Sequence, residues 1–163
     1  MTRKNATEIK AEPDRQEFFI TREFEAPRLM VFEAFTSPAL LAQWFLPKEL
    51  QMKIEVMDCR TGGSYRHLHS HATGMQFGFA GVFHEVTAPE RIVKTSEFEG
   101  LPERGHVVLE ITSFEALPGE RTKVTIQSIC LSVAQRDGMI NAGMKPALTI
   151  AHQQLDELLA RNT

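Results

Sequence analysis

Three histidines alternate along the run Tyr65-Arg66-His67-Leu68-His69-Ser70-His71, and no other stretch of this sequence gathers so many groups capable of chemistry. In an extended strand successive side chains point to opposite faces, so Tyr65, His67, His69 and His71 share one face. Histidines two apart on a strand can converge on one metal ion that keeps open coordination positions. They can equally bind a ligand's carboxylate or phenol, or titrate near neutral pH. A plainer alternative puts His71 in water at a turn and makes His67 and His69 polar walls bridged by water. No third donor stands at a fixed spacing, although Glu97 or Glu110 on neighbouring strands could supply one. The residues therefore assign no metal and no cofactor, with His67 and His69 the candidates if one binds.

The other reactive types are less suggestive. Cys59 precedes Arg60, whose charge could lower a thiol pKa, but nucleophilic work needs a base nearby. Cys130 closes an apolar strand and reads as a small hydrophobe. Glu97, Glu99 and Glu110 are the carboxylates expected nearest the sheet interior, yet no pair is positioned for general acid–base work. Asp58 and Arg60 before Gly62-Gly63 look structural, a turn tethered by charge-assisted hydrogen bonds. Those glycines are no phosphate loop, because no helix N-terminus follows them. No catalytic residue is assigned.

Such groups must be positioned by elements, and the composition limits what these are. The chain has 163 residues, with 18 Lys and Arg against 21 Asp and Glu, a formal net charge of −3. That balance argues against nucleic-acid or anionic-membrane binding through bulk charge. With 42% hydrophobic and 24% charged residues the chain should be globular rather than disordered. Eleven Phe against one Trp and one Tyr promise an interior with few polar handles. No apolar run approaches the roughly 18 residues of a membrane-spanning helix. Residues 1–15 are polar, read as a loose tail rather than a secretory signal, and point to the cytoplasm.

From Gln16 to Glu25 the alternation of Phe18, Ile20, Arg22 and Phe24 predicts a strand. Pro27 and Ser37-Pro38 open two short helices, the second running from Ala39 to Phe45. Six strands follow, around residues 52–57, 64–71, 75–86, 91–98, 107–114 and 122–130, joined by turns that favour an antiparallel meander. Met139, Met144, Leu148, Ala151, Leu155 and Leu159 then recur at helical spacing. A helix over 134–161 would be about 42 Å long. Gly138, Gly143 and Pro146 gather in its first half and leave it to begin late, kink or open with a separate turn, so its second half is the safer part. The order is β-α-α-β6-α: an α+β domain over residues 16–163 with a curved antiparallel seven-stranded sheet and a long helix laid across it.

The run FEAPRLMVFEAFTSPALLAQWFLP at Phe24–Pro47 resembles the opening of the bacterial relatives of the activator of heat-shock-protein-90 ATPase. These belong to the START-like helix-grip superfamily, also called SRPBCC. Asp58, Arg60, Gly62, Gly63, Tyr65 and Gly74, the run GFAGVFHEVTAPERIV, then RDGMINAGM and LDELLA continue the likeness in family order. The resemblance implies a helix-grip fold with a cavity between sheet and C-terminal helix. It also implies that His67 and His69 replace aromatic or Met residues pointing into that cavity. Trp44, Tyr65, Phe77, Phe79, Phe83, Met139, Met144 and Leu148 would complete its lining.

The leading expectation is a non-catalytic protein that binds a small hydrophobic or aromatic molecule, with Tyr65, His67 or His69 recognising one polar group. An activator-like protein with a chaperone partner is the second, and a metal-assisted or acid–base enzyme using His67 and His69 the third. A homodimer through an open sheet edge is not selected by any residue.

Overall fold

A computed structural model describes residues 5–162. One eight-stranded sheet carries the fold, with strands β1 (Glu8–Lys10), β2 (Glu17–Phe24), β3 (Leu50–Met57), β4 (Ser64–His71), β5 (Gln76–Thr87), β6 (Arg91–Phe98), β7 (Val107–Leu117) and β8 (Arg121–Ile129). Their spatial order is β1-β2-β8-β7-β6-β5-β4-β3, and every neighbouring pair is antiparallel. Helices α1 (Arg28–Thr36) and α2 (Pro38–Trp44) follow β2, and α3 (Val133–Asn141) and α4 (Met144–Arg161) close the chain. The α+β helix-grip architecture is the expected one.

Period-two patterning decides which face is covered. Along β2 burial alternates at every residue, turning Phe18, Ile20, Arg22 and Phe24 inward. Leu155 and Phe24 are fully buried, each worth about 2 kcal/mol in area removed from water. Pro27 supplies the extended residue ahead of α1, whose Val31, Phe32 and Ala34 go inward. Phe32 and Phe35 meet Phe114 of β7 edge-on, with ring centroids 5.1 and 5.2 Å away. On α4, Ala151, His152, Leu155, Leu158 and Leu159 form the buried stripe, all in the second half of the segment.

One expectation is corrected. The sheet has eight strands rather than seven, because part of the segment read as a tail is built into it. Glu8, Ile9 and Lys10 pair with Thr21, Ile20 and Phe19. Thr7 is buried, its hydroxyl 2.7 Å from His152 Nδ1. The buried Arg136 of α3 donates from Nη1 to the carbonyls of Glu12 and Arg15, both at 2.6 Å. Three residues with one apolar side chain give no periodic signal, and the partners lie over 120 residues away in sequence. The first four residues of the expected tail, 1–4, lie outside the described residues.

The closing stretch is two helices, an interruption that its glycines had left open. Gly143 stands between them at φ 85°, a left-handed conformation costly to residues with a Cβ. Ser132 caps the first, its hydroxyl accepting from the Gln135 amide at 3.0 Å.

Candidate ligand-binding site

Strand β4 turns Tyr65, His67 and His69 onto the inner face, and its neighbours extend that face by register. Ile54 and Phe79 stand opposite His67, Met52 and Phe77 opposite His69, and Phe98 opposite Phe79. The rings touch in sequence: Tyr65–His67 at 5.0 Å, His69–Phe79 at 4.5 Å, Phe79–Phe98 at 5.0 Å and Phe77–Phe98 at 5.9 Å between centroids. His67 and His69 stack nearly parallel, 6.5 Å apart. Phe45, just after α2, closes on His69 at 6.1 Å. The result is an aromatic wall, half-buried at His69, Phe77, Phe79 and Phe98 and closed at Tyr65 and His67.

Within this wall Nε2 of His67 and Nε2 of His69 are buried and have no hydrogen-bond partner among the described residues. Burial pushes the pKa of both down to about 4, with Lys94 and then His69 adding to the effect at His67. Both rings are neutral at physiological pH. Each then offers one N–H donor and one acceptor nitrogen, according to tautomer. His71, by contrast, is exposed at the end of β4 and pairs with Thr73 in the turn.

The polar centre of the inner face lies one step across the sheet. Phe83, Lys94, Glu110, Ser128 and Phe18 face one another in successive strands. Lys94 Nζ sits 3.7 Å from a Glu110 carboxylate oxygen and 4.8 Å over the Tyr65 ring. Burial works against its charge, but Glu110, Tyr65 and Cys59 together outweigh this and raise its pKa. Lys94 was not singled out from the sequence. The signal was present, since Ile92, Lys94, Ser96 and Phe98 share one parity on β6.

The remaining expected lining residues are distributed rather than gathered. Trp44 and Phe83 are buried in the main core with Tyr65. Trp44 gives its indole N–H to the Ala34 carbonyl at 2.9 Å, a core anchor. Met139, Met144 and Leu148 are half-buried and pack on a second cluster of Phe18, Ile20, Val108 and Cys130. The row through Lys94 and Glu110 runs across the strands from Phe83 of the main core to Phe18 of the second cluster. Two surface concavities lie elsewhere. One of about 410 Å³ is on the outer face, lined by Val56, Arg66, Val82, Glu97 and Val107 among others. The other, about 330 Å³, lies where α1, α2 and α4 meet. Neither includes His67 or His69.

Of the three carboxylates expected near the interior, only Glu110 is there. Glu97 faces outward to Arg104 and the Gly105 amide, which hold its pKa down at about 2. Glu99 pairs on the same outer face with Arg66. The reason is parity: residues 97 and 99 alternate with Ser96 and Phe98. Among the described residues no set of three His, Cys, Asp or Glu is placed to hold a metal ion. His67 and His69 therefore lack the third protein donor a catalytic zinc site uses. Cys59 is not activated by Arg60, since burial raises its thiol pKa. Arg60 instead grips the Asp58 carboxylate at 2.9 Å, as expected of that turn.

Among the described residues no helix is long and apolar enough to cross a membrane. Comparison with curated proteins gives no match. Among solved structures, a Rhodobacter sphaeroides protein superposes with a TM-score of 0.84 at 22% identity, covering 94% of this chain and 99% of that one. A Mycobacterium smegmatis protein gives 0.83 at 21% identity, with 94% and 96% covered. The AHSA1 protein from Silicibacter pomeroyi gives 0.73 at 18% identity, with 90% and 99% covered. At these identities the likeness carries the fold alone. The sequence carries more: the family model for Activator of Hsp90 ATPase homolog 1-like protein matches residues 25–160, and the chain belongs to that family.

Proposed function

We propose that this protein binds a small hydrophobic or aromatic molecule against the inner face of its sheet, without catalysing a reaction on it. The observation that carries this reading is the pair of partnerless nitrogens, Nε2 of His67 and of His69, set in a wall of Phe and Tyr rings. A buried polar atom without a partner costs about 1–3 kcal/mol. A ligand with an apolar body and a polar group facing those nitrogens recovers that cost while burying apolar area. The compartment that suits this reading is the cytoplasm, where Cys59 and Cys130, both free, stay reduced.

Native mass spectrometry before and after denaturation tests the reading. A co-purified organic molecule, or thermal stabilisation by members of a lipid and aromatic library, is the expected result. No co-purified mass together with no thermal shift across the library would overturn it. The family description also suggests stimulation of a chaperone ATPase, but no residue of this structure favours that role over ligand binding.

A further inference from the structure

Among the described residues the Lys94–Glu110 pair is the one ion pair on the inner face beside the aromatic wall, and the ammonium has donors left over. A lysine ammonium has three donors. At 3.7 Å the contact with Glu110 is longer than a hydrogen bond, and the Tyr65 ring below offers only its π face. Lys94 and Glu110 are each about one-quarter exposed, so the pair is not sealed within the core. Tyr65 has no donor to spare, because its hydroxyl already donates to the Thr95 carbonyl at 2.7 Å. The groups near the wall with donors to spare are therefore the Lys94 ammonium and, according to tautomer, the two histidine nitrogens.

We infer that the ligand is an organic anion with an aromatic or hydrophobic body, and that Lys94 is the residue that anchors its charged head. This rests on the ligand-binding reading above and names the chemical class it selects. An acceptor-rich anionic head can take hydrogen bonds from Lys94 Nζ and from a neutral imidazole N–H together. A cationic head would face Lys94 with like charge. An uncharged body would leave the ammonium donors as they are. Glu110 opposes the anion, which makes it the residue that sets the strength of the preference.

The test uses two fluorescent probes with the same arylamine body, anionic 8-anilinonaphthalene-1-sulfonate and uncharged N-phenyl-1-naphthylamine, each titrated into the full chain. Both should bind and displace one another, the anion about tenfold more tightly. Lys94→Gln should abolish that tenfold advantage and leave the uncharged probe within twofold. Lys94→Arg should keep it. Glu110→Gln should tighten the anion several-fold without moving the neutral probe. Should Lys94→Gln fail to fold, Lys94→Arg and Glu110→Gln decide the matter through the same ratio. Equal affinity for the two probes, or variants that shift both alike, would overturn the anion preference and leave the ligand reading intact. Binding of neither probe would overturn both.

Discussion

Tyr65 crosses over Gly81 to donate its hydroxyl proton to the backbone carbonyl of Thr95, 2.7 Å away and two strands over. The β5–β6 ladder is open at this point, since no pairs form between Ala80↔Glu97 and Phe83↔Lys94. The crossing needs a residue without a side chain. A Cβ at position 81 would lie 1.8 Å from the Thr95 carbonyl oxygen and 2.9 Å from Tyr65 Cε1. Gly81→Ala is expected to destabilise the protein by about 3 kcal/mol, the upper end for overpacking. Tyr65→Phe, which only removes the hydroxyl, should cost about 1 kcal/mol. Urea denaturation measures both, and a fully stable Gly81→Ala protein would contradict the crossing.

Arg22 of β2 is 4% exposed and grips Asp156 of α4 through two bonds, at 3.0 and 2.6 Å. Removing the carboxylate strands a buried guanidinium. Asp156→Ala should cost about 2 kcal/mol, reduced from the buried-pair value because the aspartate reaches solvent. Arg22→Met in the Asp156→Ala background should recover part of the loss, because it removes the stranded charge. The comparison of single and double variants by chemical denaturation checks this, and a double variant no better than Asp156→Ala would count against it.

The N-terminal segment is held by Thr7–His152, by β1–β2 pairing and by Arg136 on two carbonyls. Thr7→Val should therefore cost about 1 kcal/mol. Deleting residues 1–12 should lower the melting temperature by several degrees and speed amide exchange along β2. A deletion with no effect on either would restore the picture of a free tail.

His67, His69 and His152 are all held neutral with a pKa near 4, chiefly by burial. Their unfolded-state value is near 6.5, so below that pH the unfolded chain binds more protons than the folded one. Stability is complete above about pH 6.5 and falls as the pH drops through 6.5 toward 4. His67 and His152, both over nine-tenths buried, contribute about 3 kcal/mol each across that window, and the half-buried His69 less. Urea midpoints at pH 7, 6 and 5 should decline progressively, and His67→Phe should flatten the decline. Equal midpoints at pH 7 and 5 would mean that these imidazoles are not buried neutral.

The strands were legible wherever one face is buried, because a period of two survives in the residue types of β2, β4 and β7. The tail misled, whereas the break in the closing helix was among the outcomes its glycines left open. Ile9 is one apolar residue in a three-residue strand, so the first has almost no local signal. The second has a strong apolar stripe, and the φ of Gly143 that breaks it is a backbone fact. Alternation likewise brought Tyr65, His67 and His69 together from sequence. Trp44, Phe83 and the Met139–Leu148 group depend on where α2, α3 and α4 dock, which no spacing encodes. Lys94 was overlooked because lysines in strands are usually solvated, and only its pairing with Glu110 across β6 and β7 reveals its position.

The sheet ends on very unequal strands, and this governs how copies of the chain can meet. One margin is β1, three residues long and flanked by Glu8 and Lys10. The other is β3, where the register slips between Ile54 and Val56 and the exposed Lys53 and Glu55 alternate with apolar residues. A newcomer strand adding at the first margin gains few ladder bonds, and at the second meets a bulge and charges of both signs. Edge-to-edge addition of a further strand is thereby disfavoured at both margins, a counterweight to the eleven phenylalanines of the composition.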